Sequence, residues 1–563
     1  MPKLIKIVFN PVIAAIVEPD RDAKILVNDL LSYKIETGAK GMGVAFGSMF
    51  DMTKARFPTG FVRLVTKKLE AAGYKIQVVG KPAPEPLGPE KPTVDPFAYD
   101  PRYSYQDDTM NRLVVMKRMI AQIATGGGKS RTFKLCCERI NLPTLFLTTR
   151  KSLMYQMAKG YKTVKSPRPI GFIGDGHWKP EPTGINFAIV DTLVSRLEVT
   201  SFDSELDKAV TKHVTKLEEA CQAALKKHKL PVNPGTMRHA DKETMEKIKN
   251  VRSKVEMAMP FDEAGARKKI IAKVEKQRAA REETLAFLQS VGFLCLEEAH
   301  EVSGQGFFDL CNSMPNAHYR LALTATPFMK DSEEANLRLM AVTGTIGIKV
   351  SEKDLIDKGI LAKPYFNIAP SKKPTGVVRG TPWQAAYERG IVNNPGRNMQ
   401  IVKAVSDGRK YGLTSIVLVQ RTKHGDILKE ILNTMGVKTD FIFGEDDQTA
   451  RQAALDRLGN GEIDCLIGTT ILDVGVDVPS VGQVILAGGG KAEVAQRQRI
   501  GRGLRAKKSG PNVCYVYDFE DSWNNHTFGH SRERRRIIES TPGFAENIVP
   551  QFDYAEHGFV KIS

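Results

Sequence analysis

The sequence predicts an α/β protein with two tandem lobes, each built on a parallel β-sheet covered by helices. Short apolar segments of strand length recur along residues 102–348 and again along 349–520, and each is followed by a turn and by helical or loop material. Short buried strands that alternate with helices are typical of parallel sheets. A small α/β domain is predicted before the first lobe, and a charged helical insertion is predicted within that lobe.

Residues 1–80 are predicted to form the small α/β domain, an accessory unit that we expect to bind DNA. Residues 4–9 and 74–79 have the pattern of strands, and residues 61–69 have the spacing of a helix. Seven prolines then fall within residues 81–101, which is the composition of a semi-extended linker. This linker is the clearest predicted domain boundary.

The first lobe is interrupted by a segment, residues 201–290, that is dense in Lys and Glu. Apolar residues recur there at steps of three or four in two runs, and Pro231, Pro234 and Gly235 separate the runs. We therefore predict an antiparallel helical hairpin, which is either a wedge or clamp for nucleic acid or a solvated spacer or docking arm. The strands predicted around it are 144–148, 185–190, 293–296 and 319–323.

The second lobe, residues 349–520, repeats the strand-turn-helix style of the first. Residues 521–563 follow as a C-terminal extension with a basic run at 532–536 and no recognisable core. The strands predicted in the second lobe are 415–419, 464–467, 484–486 and 513–517.

The composition indicates a folded, basic protein. The 563 residues include 82 Lys+Arg and 64 Asp+Glu, so the net charge of +18 favours a polyanionic partner such as nucleic acid. The seven cysteines are scattered without a Cys-x-x-Cys, which argues against a disulfide scaffold or zinc module and for a reducing compartment. The apolar stretches are too short to cross a bilayer and no convincing signal peptide is recognised. We expect a cytoplasmic protein with no membrane partner.

A glycine-rich turn precedes a segment of helical character at 131–140. It reads Ala-Thr-Gly-Gly-Gly-Lys-Ser over residues 124–130. Consecutive glycines let backbone amides surround phosphate oxygens, a lysine can reach the terminal phosphates, and a hydroxyl can ligate Mg²⁺. The full phosphate-loop pattern is not met, because Ile123 stands where its first glycine belongs, and a turn of this kind also occurs as a solvated loop.

Two adjacent carboxylates, Glu297 and Glu298, follow an apolar strand and precede Ala299 and His300. Nucleotide hydrolysis needs one carboxylate to hold the metal and a neighbour to orient the attacking water. The alternative is an ordinary acidic loop after a strand.

Two further segments carry weaker signals. The sequence Thr-Ala-Thr at 324–326 ends a predicted strand. In 498–505, Arg502 and Arg505 lie three residues apart, so on a helix they share one face and could both aim at a phosphate; a basic surface helix is the alternative.

Taken in order, these segments resemble the motifs of superfamily 2 helicases, which are DExH-type motors with two RecA-like lobes. The glycine turn is similar to motif I, the acidic pair to motif II, residues 324–326 to motif III and residues 498–505 to motif VI, Q-x-x-G-R-x-x-R. Motifs Ia, Ib and V and an upstream adenine-reading glutamine are also recognised. The resemblance covers about residues 102–510, and eight matches in the family's order make coincidence implausible.

The resemblance implies ATP as substrate, Mg²⁺ as cofactor, and a role for each matching residue. The implied nucleotide contacts are Gln106, Thr125, Gly126, Gly127, Gly128, Lys129, Ser130 and Asp477. The implied metal ligands are Ser130 and Glu297. The implied catalytic residues are Lys129, the water-activating Glu298 and, from the opposite lobe, Gln498, Arg502 and Arg505. The implied nucleic-acid contacts are Thr149, Arg150, Asp191, Thr192, Thr469 and Thr470.

One departure and one narrower resemblance qualify this assignment. The family usually has Asp where this chain has Glu297, and the extra methylene repositions the metal contact or makes it more water-mediated. Residues 57–61 and 72–75 resemble the N-terminal domain of phage UvsW-type recombination helicases, which remodel branched DNA.

Our first hypothesis is an ATP-dependent DNA helicase or translocase that unwinds or remodels forks and Holliday-type junctions, as in branch migration and recombination. ATP-driven opening and closing of the two lobes would supply the motion, and contacts to DNA would be mainly to phosphates. The alternatives are an RNA helicase or the translocating subunit of a restriction system. A nucleic-acid-binding scaffold with a degenerate ATPase, suggested by Glu297, is the alternative from another class. If the protein is phage-encoded, it would act in the host cytoplasm.

Overall fold

The structure is a computed structural model. It describes residues 3–35, 45–94, 99–164, 167–233, 240–299, 304–328, 332–444, 448–469, 481–490, 500, 504–507 and 510–562. These residues fall into two compact units, one made of Met1–Val190 with Ser290–Ser563 and the other of Asp191–Gln289. No helix in the described part of the chain is long and apolar enough to cross a membrane. The predicted α/β class with parallel sheets is confirmed.

The N-terminal part of the first unit contains a four-stranded sheet, a separate two-stranded sheet and two helices. Its strands are β1 (Leu4–Phe9), β2 (Ile13–Val17), β3 (Ser32–Ile35), β4 (Ala45–Ser48), β5 (Arg56–Pro58) and β6 (Lys75–Gly80). Its helices are Arg21–Leu31 and Val62–Ala71, the second preceded by the 3-10 turn Thr59–Phe61. The four-stranded sheet has the order β5-β2-β1-β6, with β1 parallel to β6, and β3 and β4 pair antiparallel in a separate two-stranded sheet. The predicted strand and helix positions are confirmed here to within two residues.

An eight-stranded sheet forms the core of the first lobe. Its strands are β7 (Arg118–Ile123), β8 (Thr144–Thr148), β9 (Ile170–Gly174), β10 (His177–Lys179), β11 (Ile185–Ile189), β12 (Phe293–Glu297), β13 (Tyr319–Thr324) and β14 (Ile346–Val350). The order is β10-β9-β11-β8-β12-β13-β7-β14, and all pairs are parallel except β9 with β10. Every residue of β8, β11, β12 and β13 is buried, as expected for strands covered on both faces. The helices of this lobe within the first unit are Ser104–Met116, Lys129–Ile140, Lys151–Tyr161, Gln305–Asn312 and Glu333–Thr343, with a 3-10 turn at Pro101–Tyr103.

The second lobe is a six-stranded, fully parallel sheet. Its strands are β15 (Lys363–Pro370), β16 (Ser415–Leu418), β17 (Thr439–Ile442), β18 (Cys465–Gly468), β19 (Gln483–Leu486) and β20 (Val513–Glu520), in the order β15-β20-β19-β16-β18-β17. The helices are Glu352–Asp357, Trp383–Tyr387, Pro395–Arg409, Thr422–Thr434, Gln448–Gly459 and Asn525–Ser540, with a π-helical turn at Glu388–Val392 and a 3-10 turn at Ala545–Asn547. The predicted strands of both lobes are confirmed to within one residue, except that β20 extends three residues further.

The second unit is helical, as predicted for the insertion, but it is not a two-helix hairpin. Apart from the end residues Val190 and Ser290, it contains the helix Val190–Leu197 and, within the predicted insertion, the helices Phe202–Lys227, Lys242–Ala258 and Glu263–Ser290. The second apolar run predicts one helix, but the helix Lys242–Ala258 ends just before Pro260. The Asp262 side chain accepts a hydrogen bond from the Gly265 amide at 2.9 Å, where a third helix begins. The hairpin prediction is therefore wrong in the number of helices.

The C-terminal extension has a core, so the prediction that it lacks one is also wrong. The helix Asn525–Ser540 buries Ile537 and Ile538, and Phe544 beyond it is 1% exposed. Arg534, in the middle of the basic run, is 2% exposed. The run is therefore not a uniformly solvated surface.

Candidate functional site

The glycine turn links the end of β7 to the start of the helix Lys129–Ile140. Gly126 has a φ of 84° and Gly128 a φ of 74°, a region that residues with a side chain rarely adopt. The Gly127 amide donates a hydrogen bond to the Ala124 carbonyl at 3.0 Å, which closes the turn. Glycine is therefore required here by the backbone, and the turn brings Lys129 and Ser130 to a helix N-terminus.

Gln106 lies behind this turn, in the helix Ser104–Met116. Its side chain is fully buried, and its Nε2 donates to the carbonyls of Gly127 at 3.1 Å and Gly128 at 3.3 Å. Its Oε1 accepts a hydrogen bond from the Arg131 guanidinium at 2.7 Å, and the Tyr105 hydroxyl donates to the Gly127 carbonyl at 2.7 Å. The structure thus shows Gln106 supporting the turn, and its contact with an adenine stays a prediction.

The acidic pair lies at the carboxyl end of β12, two strands away from β7 in the sheet. The Lys129 ammonium is 3.7 Å from Glu298 Oε1, so the tertiary structure joins two motifs that are 169 residues apart. Glu298 has a φ of 49°, and its amide donates to the Leu323 carbonyl of the neighbouring β13 at 3.1 Å. A non-glycine residue in this conformation indicates that the surrounding structure holds the acidic pair in place.

Glu297 is the more deeply buried of the two carboxylates, with 4% of its surface exposed. Its Oε2 is buried and has no hydrogen-bond partner among the described residues. Burial raises the pKa of Glu297 to about 8; the Lys129 charge opposes this rise and the Glu298 charge adds to it. A buried carboxylate with an unpartnered oxygen fits a metal ligand, because a cation would offset the cost of burying its charge.

These residues line a cavity of about 450 Å³ to which both lobes contribute. The lining residues are Tyr103, Gly126, Gly128, Lys129, Ser130, Glu297, Glu298, Ile360, Leu361, Arg505 and Ala506. Arg505 and Leu361 are paired by an antiparallel β-bridge, and the Ala362 amide donates to the Leu504 carbonyl at 2.6 Å. The segment that follows the first lobe thereby holds the predicted arginine at the same cavity as the glycine turn.

Sequence reasoning missed Tyr103, Ile360, Leu361 and Ala506 as residues of this cavity. Gly126 faces Leu361 closely, since a Cβ placed on the glycine would be 2.7 Å from Leu361 Cδ2. Tyr103 is only three residues before Gln106, so its position beside a predicted nucleotide contact was an available signal. Ile360 and Leu361 belong to no motif, and no local pattern points to them.

The remaining predicted site residues have less structural support. Thr149 and Arg150 follow β8, and Asp191 and Thr192 follow β11 in the chain, where Thr148 pairs in register with Ile189. Thr469 follows β18 and is 8% exposed. Their contacts with nucleic acid stay predictions. The predicted residues that lie outside the described part of the chain are His300, Thr470, Asp477, Gln498 and Arg502.

Thr324 and Thr326 lie at the carboxyl end of β13, between β12 and β7. The Thr326 amide donates to the Thr324 hydroxyl at 3.2 Å, and Gln122 Nε2 of β7 donates to the Ala325 carbonyl at 3.3 Å. This segment therefore lies between β7, which leads to the glycine turn, and β12, which ends at the acidic pair.

Comparisons with known proteins agree with this arrangement. Residues 101–329 match the family model of the type III restriction enzyme res subunit, and residues 398–507 match that of the helicase conserved C-terminal domain, which together cover more than half of the chain. The two parallel-sheet lobes, with the glycine turn and the acidic pair at the carboxyl ends of strands in the first, have the two-lobe RecA-like architecture. The chain belongs to the superfamily 2 helicases.

Among curated proteins, the chain is similar to the phage T4 "ATP-dependent DNA helicase uvsW", with 21% identity over 235 residues, 41% of this chain and 46% of the relative. It is 24% identical over 265 residues to "Putative helicase 22" of Sulfolobus islandicus filamentous virus, covering 44% of this chain and 46% of the relative. It is 21% identical over 239 residues to the Schizosaccharomyces pombe "Pre-mRNA-splicing ATP-dependent RNA helicase prp28", 42% of this chain and 35% of the relative. The matched segments span less than half the length of these relatives.

Among solved structures, T4 UvsW matches over 98% of both chains, with 15% identity and a TM-score of 0.40. A DEAD box protein from Methanococcus jannaschii matches over 77% of this chain and 90% of its own, with 15% identity and a TM-score of 0.39.

Proposed function

We propose that this protein is an ATP-dependent DNA helicase or translocase that unwinds or remodels branched DNA, such as forks and four-way junctions. The observation that carries the proposal is the cavity lined by both lobes, with Lys129, Glu297 and Glu298 on one side and Arg505 on the other. A lysine on one side and an arginine on the other suit a triphosphate, whose negative oxygens need cations from both sides.

ATP is the proposed substrate of this cavity. The amides of the glycine turn and Lys129 would hold its phosphates, and Ser130 with Glu297 would hold Mg²⁺. The bound Mg²⁺ would neutralise phosphate charge. The fit rests on the buried, unpartnered Glu297 Oε2 described above.

Glu298 would orient the attacking water and accept its proton, since it follows Glu297 and lies 3.7 Å from the Lys129 ammonium. Arg505, together with Arg502 and Gln498 from the same predicted motif, would stabilise the charge that develops on the transferred phosphoryl group. An arginine in this role contributes about 10³–10⁵ in rate.

Movement along DNA would follow from changes in the cavity. Because the site needs groups from both lobes, binding of the triphosphate would favour their approach, and release of the products would let them separate. If each lobe contacts phosphates of one strand, alternating grip produces translocation. Such contacts are largely indifferent to base sequence and weaken with salt.

DNA is preferred over RNA in the proposal because the small N-terminal α/β domain accompanies the lobes here, and its residues 57–61 and 72–75 are those that resemble the UvsW-type recombination helicases. A translocating subunit of a restriction system is a second candidate, which the match of residues 101–329 to the res-subunit family favours. An RNA helicase is a third, since an RNA helicase is among the relatives.

The test compares ATP hydrolysis and unwinding on five substrates at equal nucleotide concentration: single-stranded DNA, duplex DNA, a DNA fork, a four-way DNA junction and duplex RNA. We expect the fork and the junction to stimulate hydrolysis most and to be unwound, with Lys129→Ala as the inactive control. Equal stimulation by all DNA forms would refute branch specificity, while favouring a general DNA translocase. Stimulation by RNA alone would identify an RNA helicase, and hydrolysis that no nucleic acid stimulates would favour the scaffold.

A further inference from the structure

A second cavity, of about 390 Å³, lies where the N-terminal sheet meets the first lobe. It is at the amino end of β7, which begins at Arg118, whereas the glycine turn follows the carboxyl end of the same strand. The two sites are therefore separate. The N-terminal domain packs closely here, because a Cβ on Gly60 would be only 2.0 Å from the Met340 carbonyl oxygen.

The charged lining of this cavity is cationic. Arg63, Lys81, Lys117 and Arg118 line it beside the imidazole of His318, and no aspartate or glutamate is among its described lining residues. A concave site with one sign of charge and little water attracts counter-ions more strongly than an open surface does.

The partners that the structure shows for these cations are neutral. Arg118 donates one hydrogen bond from Nη2 to the Pro11 carbonyl at 2.8 Å, while its buried Nη1 has no partner among the described residues. The Lys117 ammonium donates to the Tyr319 hydroxyl at 3.2 Å. Arg320 pairs with Arg118 across β13 and β7, and among the described residues its guanidinium donates to two carbonyls, those of Ala317 and Met314, both at 3.0 Å.

Each positive charge in this cluster raises the free-energy cost of keeping its neighbours charged. Burial, followed by the Arg320 charge, lowers the pKa of Arg118 well below its ordinary value. Burial also lowers the pKa of His318, and so do the charges of Lys81, Arg118, Arg320 and Lys117. An anion in the cavity would offset these costs together, because a partly buried cation is stabilised by a charge-assisted hydrogen bond.

The rest of the lining is apolar and includes Phe9, Pro11, Val62, Val78 and Met116. The volume is within the range of about 300–1,000 Å³ that small-molecule sites have, and it is larger than a bare phosphate needs. A ligand that matches both surfaces carries a phosphate on a compact organic body.

We propose that this cavity binds a nucleoside monophosphate group, with its phosphate against Arg118 and Lys117 and its base against the apolar wall. Such a group is available either as a free nucleotide or as the 5′-phosphorylated end of a DNA strand. Both share the same chemistry, so the cavity alone specifies the group, and the two sources are separated by experiment. In either case, a site between the N-terminal domain and the first lobe would couple ligand binding to their packing.

The experiment uses the full-length protein and two probes, dAMP in calorimetry and a fluorescent single-stranded oligonucleotide, with or without a 5′-phosphate, in anisotropy. The cavity variant is Arg63→Glu with Lys81→Glu, because both residues are exposed and line the cavity. Its matched control is Lys67→Glu with Lys68→Glu, which are exposed lysines on the same helix as Arg63 and do not line the cavity. Arg118→Met probes the buried cation directly, and circular dichroism checks that it folds.

We expect the wild type to bind at least one of the two probes through its phosphate. The cavity variant should bind that probe about ten-fold or more weakly than the wild type, while the matched control and Lys129→Ala should bind it as the wild type does. If the cavity variant loses dAMP binding, the ligand is a free nucleotide. If it loses the preference for the 5′-phosphorylated oligonucleotide, the ligand is the end of a DNA strand. The proposal is overturned if neither probe shows a phosphate-dependent interaction. It is equally overturned if that interaction is abolished by Lys129→Ala but kept by the cavity variant, which would assign it to the first cavity.

Discussion

Replacing Arg534 by methionine should destabilise the second lobe severely, although Arg534 belongs to a run of basic residues that looks like a surface. Its Nε donates to both carboxylate oxygens of Asp518 at 3.0 Å, and its two terminal nitrogens donate to the carbonyls of Gly490 at 3.1 Å and Phe519 at 2.8 Å. Asp518 is 1% exposed. The substitution therefore leaves a buried carboxylate without its cation.

Breaking one partner of such a buried pair costs about 3–5 kcal/mol, because the remaining charge stays desolvated. For a domain of about 150–250 residues, each kcal/mol lowers the melting temperature by about 2–4 °C. We therefore expect the transition of the second lobe to move down by about 6–20 °C. Hydrogen exchange should also become faster in β20, which carries Asp518.

The assay is differential scanning calorimetry with hydrogen exchange of the β20 amides, and Arg535→Met is the matched control. Arg535 is the next residue, its side chain is 48% exposed, and it pairs with Glu539 at 2.8 Å, so its loss should cost about 1 kcal/mol or less. The double variant Arg534→Met with Asp518→Leu should recover part of the loss, since it removes both charges. If Arg534→Met shifts the transition no more than Arg535→Met does, the buried network does not stabilise the lobe as reasoned here.

Three further predictions concern the nucleotide cavity and pH. Lys129→Ala should abolish ATP hydrolysis, measured by phosphate release. Glu298→Gln should keep ATP binding, measured by filter binding, while slowing hydrolysis by about 10²–10⁴. Normal turnover in Glu298→Gln would refute the assignment of Glu298 as the base. Arg505→Ala should slow hydrolysis by about 10³ or more with an unchanged melting curve, whereas loss of nucleic-acid binding alone would contradict its role at the phosphates. Burial, followed by the Arg397 charge, lowers the pKa of His424 to about 3. As the pH falls, His424 is therefore protonated in the unfolded chain at a higher pH than in the folded protein. Its contribution to stability is complete above about pH 6.5 and is lost as the pH falls toward 3, by about 1.4 kcal/mol per unit. In acid denaturation, His424→Gln should flatten this dependence, and an unchanged slope would show that His424 is not its source.

Much of the fold could be predicted because its signals are local. The apolar segments that became β8, β12 and β16 are short, uninterrupted and followed by turns, which is what strands buried on both faces require. The predicted helical hairpin failed where the signal was subtle, since one proline, Pro260, divides an otherwise continuous helical pattern. The prediction that the C-terminal extension lacks a core was wrong for another reason, because a run of arginines in the sequence does not show which arginine is buried.

Part of the candidate site could likewise be predicted from the sequence, and part could not. The residues of the glycine turn and the acidic pair are recognisable in the sequence because their chemistry is local: glycine for a φ of 74° at Gly128, and adjacent carboxylates at the end of a strand. Their nearness to each other follows from the strand order β12-β13-β7, which no spacing along the chain states.

The sequence by itself determined the class of the protein, since the glycine turn, the acidic pair and the order of the motifs are properties of the chain. Only the tertiary structure decided that Arg505 and Leu361 share a cavity with Lys129, that Arg534 is interior, and that Arg118 lines a cavity with no acid among its described lining residues. The physical reason is that backbone conformation responds to neighbouring residues, whereas burial and charge pairing depend on segments hundreds of residues away.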